Sequence, residues 1–104
     1  MDSFISRGQV VHPGDVERVL LTHPGVAEAG VAAASGSGAE QVGTAFVVLA
    51  PGVVTTDQEL MAWSRERLSA HQLPAHVTLV DRLPRNSVGK LIRGDLREMA
   101  RCVG

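Results

Sequence analysis

Two short apolar pieces, Phe4-Ile5 and Val10-Val11, flank Arg7-Gly8 near the start of the chain. A glycine between two such pieces predicts a tight β-hairpin. Pro13 suits the first position of a helix, Asp15 and Glu17 sit favourably in its positively polarised first turn, and Val16, Val19 and Leu20 share a face. This helix is expected to stop before His23-Pro24-Gly25, since proline ends a helix and glycine turns the chain. Two apolar runs follow, residues 26–34 and 42–50, separated by Ser35-Gly36-Ser37-Gly38-Ala39-Glu40. They predict paired central strands joined by a flexible loop.

Pro51-Gly52 breaks the second run, and Thr55 with Gln58 three residues on predicts a capping box for a helix to about Leu68, with Leu60 and Trp63 buried. After Leu73-Pro74, Val77 and Leu79 alternate with His76 and Thr78, which predicts a third strand ending near Asp81. Leu83-Pro84 opens an extended loop. A last helix carries Ile92, Leu96, Met99 and Val103 as an apolar stripe. The order ββα-β-β-α-β-α predicts an α+β fold: a small mixed sheet of about three strands with flanking helices, preceded by an N-terminal β-hairpin.

A chain of 104 residues fits one domain, 1–104, too small for two lobes around a deep cleft. With 10 basic and 11 acidic side chains, net charge calls for neither nucleic acid nor an anionic membrane. The basic C-terminal third interleaves Asp81, Asp95 and Glu98 and offers no aromatic to stack on bases, which also argues against nucleic acid. No apolar run approaches the roughly 20 residues of a membrane span. Cys102 has no mate for a disulfide, so a reducing, cytoplasmic location is expected. His12, His23, His71 and His76 lack the paired spacing of a zinc site, and no metal site is expected.

The chemistry-bearing candidate is Ser87-Val88-Gly89-Lys90, in a loop between a strand and a helix. Glycine freedom there lets a lysine ammonium approach an anionic ligand such as phosphate. A Walker A loop needs glycine at Pro84 and Ser or Thr at Leu91, so this is not a nucleotide-cradling P-loop. An isolated Gly-Lys pair reads more readily as a turn residue beside a solvated charge, and by itself decides nothing.

The longer stretch Leu83-Pro84-Arg85-Asn86-Ser87-Val88-Gly89-Lys90-Leu91-Ile92-Arg93 resembles the LPR-N-x-x-GK-x-x-R signature of adenylate-forming enzymes, the superfamily of acyl-CoA synthetases, peptide-synthetase adenylation domains and luciferases. Asp2 to Gly8 and Val11 to Glu17 are similar to its D-x-I-I-x-x-G and h-x-P-x-E-h-E segments, where h is apolar. His23-Pro24-Gly25-Val26-Ala27-Glu28-Ala29 is similar to HPGV-x-EA, and Ala45-Phe46-Val47-Val48 to the AFVV strand. The four segments occur in the family's order and span nearly the whole chain.

The resemblance is to the small C-terminal (lid) domain alone. It implies a partner, a large N-terminal adenylation domain in the same gene or a separate chain, that holds ATP, Mg2+ and the carboxylate. No cofactor is expected to bind tightly here, and the isolated chain is expected to be inactive. Lys90 matches the family's adenylation lysine, with Arg85, Asn86, Ser87 and Gly89 as its supporting loop. Asp2 matches the hinge about which the small domain rotates after adenylation. Gly8 matches a glycine lining the tunnel for the pantetheine of CoA or of a carrier protein, although an ordinary turn also explains it. Arg7 stands where the family often has a first glycine, and His71-Gln72 where it often has Tyr-Lys. Glu17 reads as structural. The expectation is an acyl- or aryl-CoA ligase domain, with a non-catalytic module binding a partner or carrier protein as the alternative.

Overall fold

The computed structural model describes residues 3–35 and 41–103. The hairpin forms from β1 (Phe4–Ser6) and β2 (Gln9–Val11), antiparallel with Ser6 opposite Gln9. Its two-residue turn holds Arg7 at φ 51 and Gly8 at φ 75. Positive φ at both central positions is the type I′ geometry whose twist suits two-residue hairpins. Helix α1 (Pro13–Leu21) follows, with Pro13 in its first turn, and Val16 and Leu20 fully buried.

Strands β3 (Val26–Ser35) and β4 (Gln41–Leu49) pair antiparallel; of the loop expected from Ser35 to Glu40, Ser35 ends β3 and residues 36–40 lie outside the described residues. Helix α2 (Asp57–Arg65) then returns the chain so that β5 (His76–Leu79) runs parallel to β4, giving the order β3-β4-β5. Such a mixed sheet is the expected α+β architecture. The cap of α2 differs from the expectation by one residue. Thr56, not Thr55, is the N-cap, accepting from the Glu59 N–H at 3.1 Å, while the Thr55 hydroxyl donates to the Glu59 carboxylate at 2.6 Å. Glu59, not Gln58, therefore occupies the third helical position of the cap. The helix also ends earlier than Leu68, at Arg65, and the chain tightens there, with the Arg67 N–H donating to the Ser64 carbonyl three residues back. Leu68 is nonetheless buried.

Period-two alternation along the strands separates two cores. Ala29, Val31, Ala45, Val47 and Val77 face α1, α2 and the hairpin, where Phe4, Val11, Val16, Leu20 and Leu60 complete one cluster. Ala32 and Phe46 face the opposite way, onto Leu83 and helix α3 (Arg93–Val103). Leu79 is more exposed than its alternation implies, at 36%. It lies on β5, which among the described residues has no neighbour beyond it in the sheet. On α3 the inward stripe is centred on Leu96 and Ala100, both fully buried, with Met99 packed alongside. Ile92 precedes the helix, its carbonyl accepting from Asp95 and Leu96 N–H, and the side chain of Val103 lies outside the described set. His23 meets Trp63 edge-on at 4.9 Å and accepts the Gly25 N–H at its Nδ1, 2.9 Å away.

Glu17 joins the two helix layers around the free edge of β3. Its carboxylate accepts from the Val31 N–H at 2.8 Å and from both terminal nitrogens of Arg93, the Nη2–Oε1 contact being 2.9 Å. Arg93 Nη1 also reaches the Val31 carbonyl at 3.4 Å. A buried carboxylate is tolerable only when its lone pairs are met by charge and hydrogen-bond donors together, and here they are. Removing the guanidinium leaves a buried carboxylate with fewer donors, and because the Arg93 side chain is 30% exposed, Arg93→Ala is expected to lower unfolding free energy by about 2–3 kcal/mol, less than for a fully buried pair. Arg82→Ala, at an exposed position, is expected to change it by less than about 0.5 kcal/mol. Urea denaturation of both variants measures the contrast.

Candidate functional site

Leu83 anchors the loop after β5 by burying its side chain beneath α3. From there the chain forms a narrow turn closed by the bridge between Arg85 and Leu91. Ile92 N–H donates to the Pro84 carbonyl, Asn86 N–H to Lys90 O, and Gly89 N–H to Asn86 O, each at 3.0 Å. Gly89 sits at φ 87, completing a turn in which a left-handed residue follows a tight bend. Asn86 is the hub: its Oδ1 accepts from Val88 N–H and from Lys90 N–H, both at 3.0 Å. Arg85 closes the other side by donating from Nη1 to the Gly89 carbonyl at 2.7 Å.

Arg85, Asn86 and Gly89 lie in one turn with Lys90, and Ser87 is exposed in the same turn. Lys90 itself is exposed, and among the described residues no partner is found for its ammonium. A fixed backbone carrying an uncommitted cation is suited to an anion brought by another surface. Val88, at the tip, is 77% exposed.

The hairpin candidate lies elsewhere. Ser6 and Arg7 line a groove of about 500 Å³ with Gly43, Met61, Arg65 and Pro74. Nothing lies within 4 Å of a Cβ added at Gly8, so its glycine answers to the turn's φ and not to close packing in this chain. Phe4 packs on Gly43, near the β4 end that pairs with Ala33, whereas the lysine turn is tied to Glu28, opposite Val48. From Gly43 to Val48 along an extended strand is roughly 17 Å. The lysine turn and the groove therefore occupy opposite ends of the sheet.

Asp2, the expected hinge, lies outside the described residues. His71 and Gln72 close the turn after α2. Gln72 Oε1 accepts from the Ser69 hydroxyl at 2.9 Å, and His71 Nδ1 is 3.2 Å from that hydroxyl. Among the described residues no cluster of His, Cys, Asp and Glu has the makings of a metal site, and no helix is long and apolar enough to cross a membrane. Sequence reasoning missed two participants. Glu28 holds Arg85 across the fold, and its only signal was its place in the HPGV-x-EA stretch; Arg65 faces the groove with no motif to mark it.

The turn, its glycine and its lysine fall inside a matched family. Residues 15–90 match the family described as AMP-binding enzyme C-terminal domain, and the chain belongs to it. It is 44% identical over 98 residues to the 2-succinylbenzoate–CoA ligase of Geobacillus kaustophilus, covering 94% of this chain and 20% of that protein. It is also 40% identical over 97 residues to a Rhodococcus jostii CoA ligase for a methyl-dioxo-octahydroindenyl propanoate, covering 93% of this chain and 19% of that protein. Among solved structures, Bacillus subtilis o-succinylbenzoate CoA synthetase in complex with its acyl-adenylate intermediate superposes with a TM-score of 0.80. That likeness is 43% identical and covers 91% of this chain and 19% of the other. The chain spans about a fifth of the length of these relatives.

Gly89 tests the turn's backbone demand. Because its added Cβ meets nothing within 4 Å, any cost of Gly89→Ala comes from φ 87 alone. A loss of about 1–2 kcal/mol is expected. Gly14→Ala, inside α1 and equally open, is expected to gain about 0.5–1 kcal/mol. Thermal unfolding of the two variants side by side checks the opposite signs.

Proposed function

We propose that this chain is the C-terminal domain of an acyl- or aryl-CoA ligase, working with a large N-terminal domain in the same polypeptide or a separate one. The reading is carried by the exposed Lys90 ammonium on a backbone held rigid around it, in a chain similar over nearly its whole length to CoA ligases. In the first half-reaction a carboxylate oxygen attacks the α-phosphorus of ATP, forming an acyl-adenylate and releasing pyrophosphate. Lys90 offsets the negative charge that gathers on the phosphoryl oxygens as that bond forms and the other breaks. Mg2+ would be held by the large domain.

In the second half-reaction a thiol attacks the acyl carbonyl carbon, forming a thioester and releasing AMP. The groove beside Arg7 and Arg65 supports a role for the other end of the domain in receiving that thiol, with CoA favoured over a carrier protein by the two guanidinium groups. Two working ends on one sheet suit a domain that turns about a hinge at Asp2 and presents one end at a time. Which acid is activated depends on the large domain's pocket. The alternative, a binding module, finds support in Ile5 and Val10, a cross-strand apolar pair left half exposed on the hairpin.

Carboxylate-dependent exchange of pyrophosphate into ATP tests the reading. It is measured on a ligase large domain truncated at its hinge, with this chain added or fused. Restored exchange that falls by about 10²–10³ in Lys90→Ala supports the adenylation role. No restoration in either form, with the chain still binding the large domain, favours the module.

A further inference from the structure

Glu28 touches no substrate in the scheme above, yet it is the far anchor of the lysine turn. It projects from β3 at the register shift between Val26 and Glu28, a bulge of the kind that re-aims a side chain. One of its oxygens, Oε1, accepts from Arg85 Nε at 2.9 Å and from Nη2 at 2.6 Å. The remaining arm of that guanidinium, Nη1, donates to the Gly89 carbonyl at 2.7 Å. On the other side, Lys90 N–H donates to Asn86 Oδ1 at 3.0 Å. The peptide unit between Gly89 and Lys90 is therefore gripped at both its polar atoms.

A planar peptide held at its oxygen and at its N–H has little freedom to swing, so the Lys90 Cα is placed and only the side-chain torsions stay open. Arg85 alone supplies no such fixity, since its side chain is long and 37% exposed. Glu28 orients the planar fork so that its third arm points at Gly89 O. The ion pair adds little stability at this exposure; its effect is directional.

We propose that Glu28 is a positioning residue of the adenylating half-reaction, fixing through Arg85 the Gly89–Lys90 peptide from which the lysine reaches. The catalytic consequence rests on the role proposed above for Lys90, whereas the mechanical part rests on these hydrogen bonds alone. Because the groove lies at the opposite end of the sheet, Glu28 acts on adenylation and leaves thioester formation alone.

Residue-resolved amide hydrogen exchange on the full chain tests the mechanical part. Glu28→Ala is expected to speed exchange at Lys90 and Val88 about three- to tenfold, with Phe46 and Val47 in β4 unchanged. Glu28→Gln, which keeps an acceptor but no charge, is expected to fall between. An unaltered Lys90 amide, or acceleration throughout β4 in step with it, overturns the proposal.

The second arm uses the same variants with the ligase large domain. Pyrophosphate exchange is expected to fall about tenfold in kcat for Glu28→Ala, with KM for ATP and acid within about twofold and partial recovery in Glu28→Gln. Thioester formation from supplied acyl-adenylate is expected to hold its rate. Equal loss in both half-reactions overturns positioning, because a merely destabilised domain loses both. If the unmodified chain supports no pyrophosphate exchange, the ligase reading falls and the catalytic part of the proposal falls with it, while the amide data decide the mechanical part.

Discussion

The carboxylate of Glu17 and the guanidinium of Arg93 meet around a strand edge, and most of the architecture depends on that meeting. Glu17 belongs to α1 on one face of the sheet and Arg93 opens α3 on the other. Between them they occupy both polar atoms of Val31, the N–H through Glu17 and the carbonyl through Arg93. Val31 lies opposite Ala45, so those atoms point away from β4 toward the free edge, where another chain would otherwise pair. One ion pair thus joins two helix layers and covers part of an edge. Its desolvation is offset because each charged atom keeps short polar contacts.

The same pair fixes where the lysine turn leaves the body of the protein. Arg93 follows Lys90 by three residues, and Ile92 N–H is bonded to Pro84 O between them. The stem is held at its base by α3, at its middle by the Arg85–Leu91 bridge and at its tip by Asn86. A four-carbon side chain with an ammonium at its end needs such a base. Its torsional freedom is large, and only a fixed Cα keeps the volume it samples small enough to matter at a reacting centre.

Much of this was legible in the sequence because it is local. Hairpin, helices and strands follow from Arg7-Gly8, Pro13, Pro51-Gly52 and the period-two runs, each a matter of a few neighbouring residues. The errors were local too: Thr55 and Thr56 are equally good caps by composition, and only the direction of the chain at Thr56 chooses between them. Leu79 obeys the alternation of β5 but not its burial, since burial depends on what covers a strand. The long-range pairings left no pattern to read. Glu17 and Arg93 are 76 residues apart, and Glu28 and Arg85 are 57 apart, so neither spacing announces a contact. The resemblance marked all four as motif positions, but only the fold says which meets which.

The two ends of the sheet treat backbone strain differently, and the difference follows from what each must hold. At the lysine turn the single left-handed position carries glycine, at φ 87, and both its own N–H and its carbonyl are hydrogen-bonded within the turn. A side chain there adds strain to a unit whose geometry sets the reach of Lys90. At the hairpin, Arg7 takes φ 51, a conformation that costs an ordinary residue on the order of 1 kcal/mol relative to glycine. That hairpin is supported by Phe4 and Val11 in the core, so the strain is confined to one exposed residue, Arg7. An arginine at this position lies at the rim of the groove, on a turn held from below by the core, whereas the glycine of the lysine turn is flanked by the hydrogen bonds that close it.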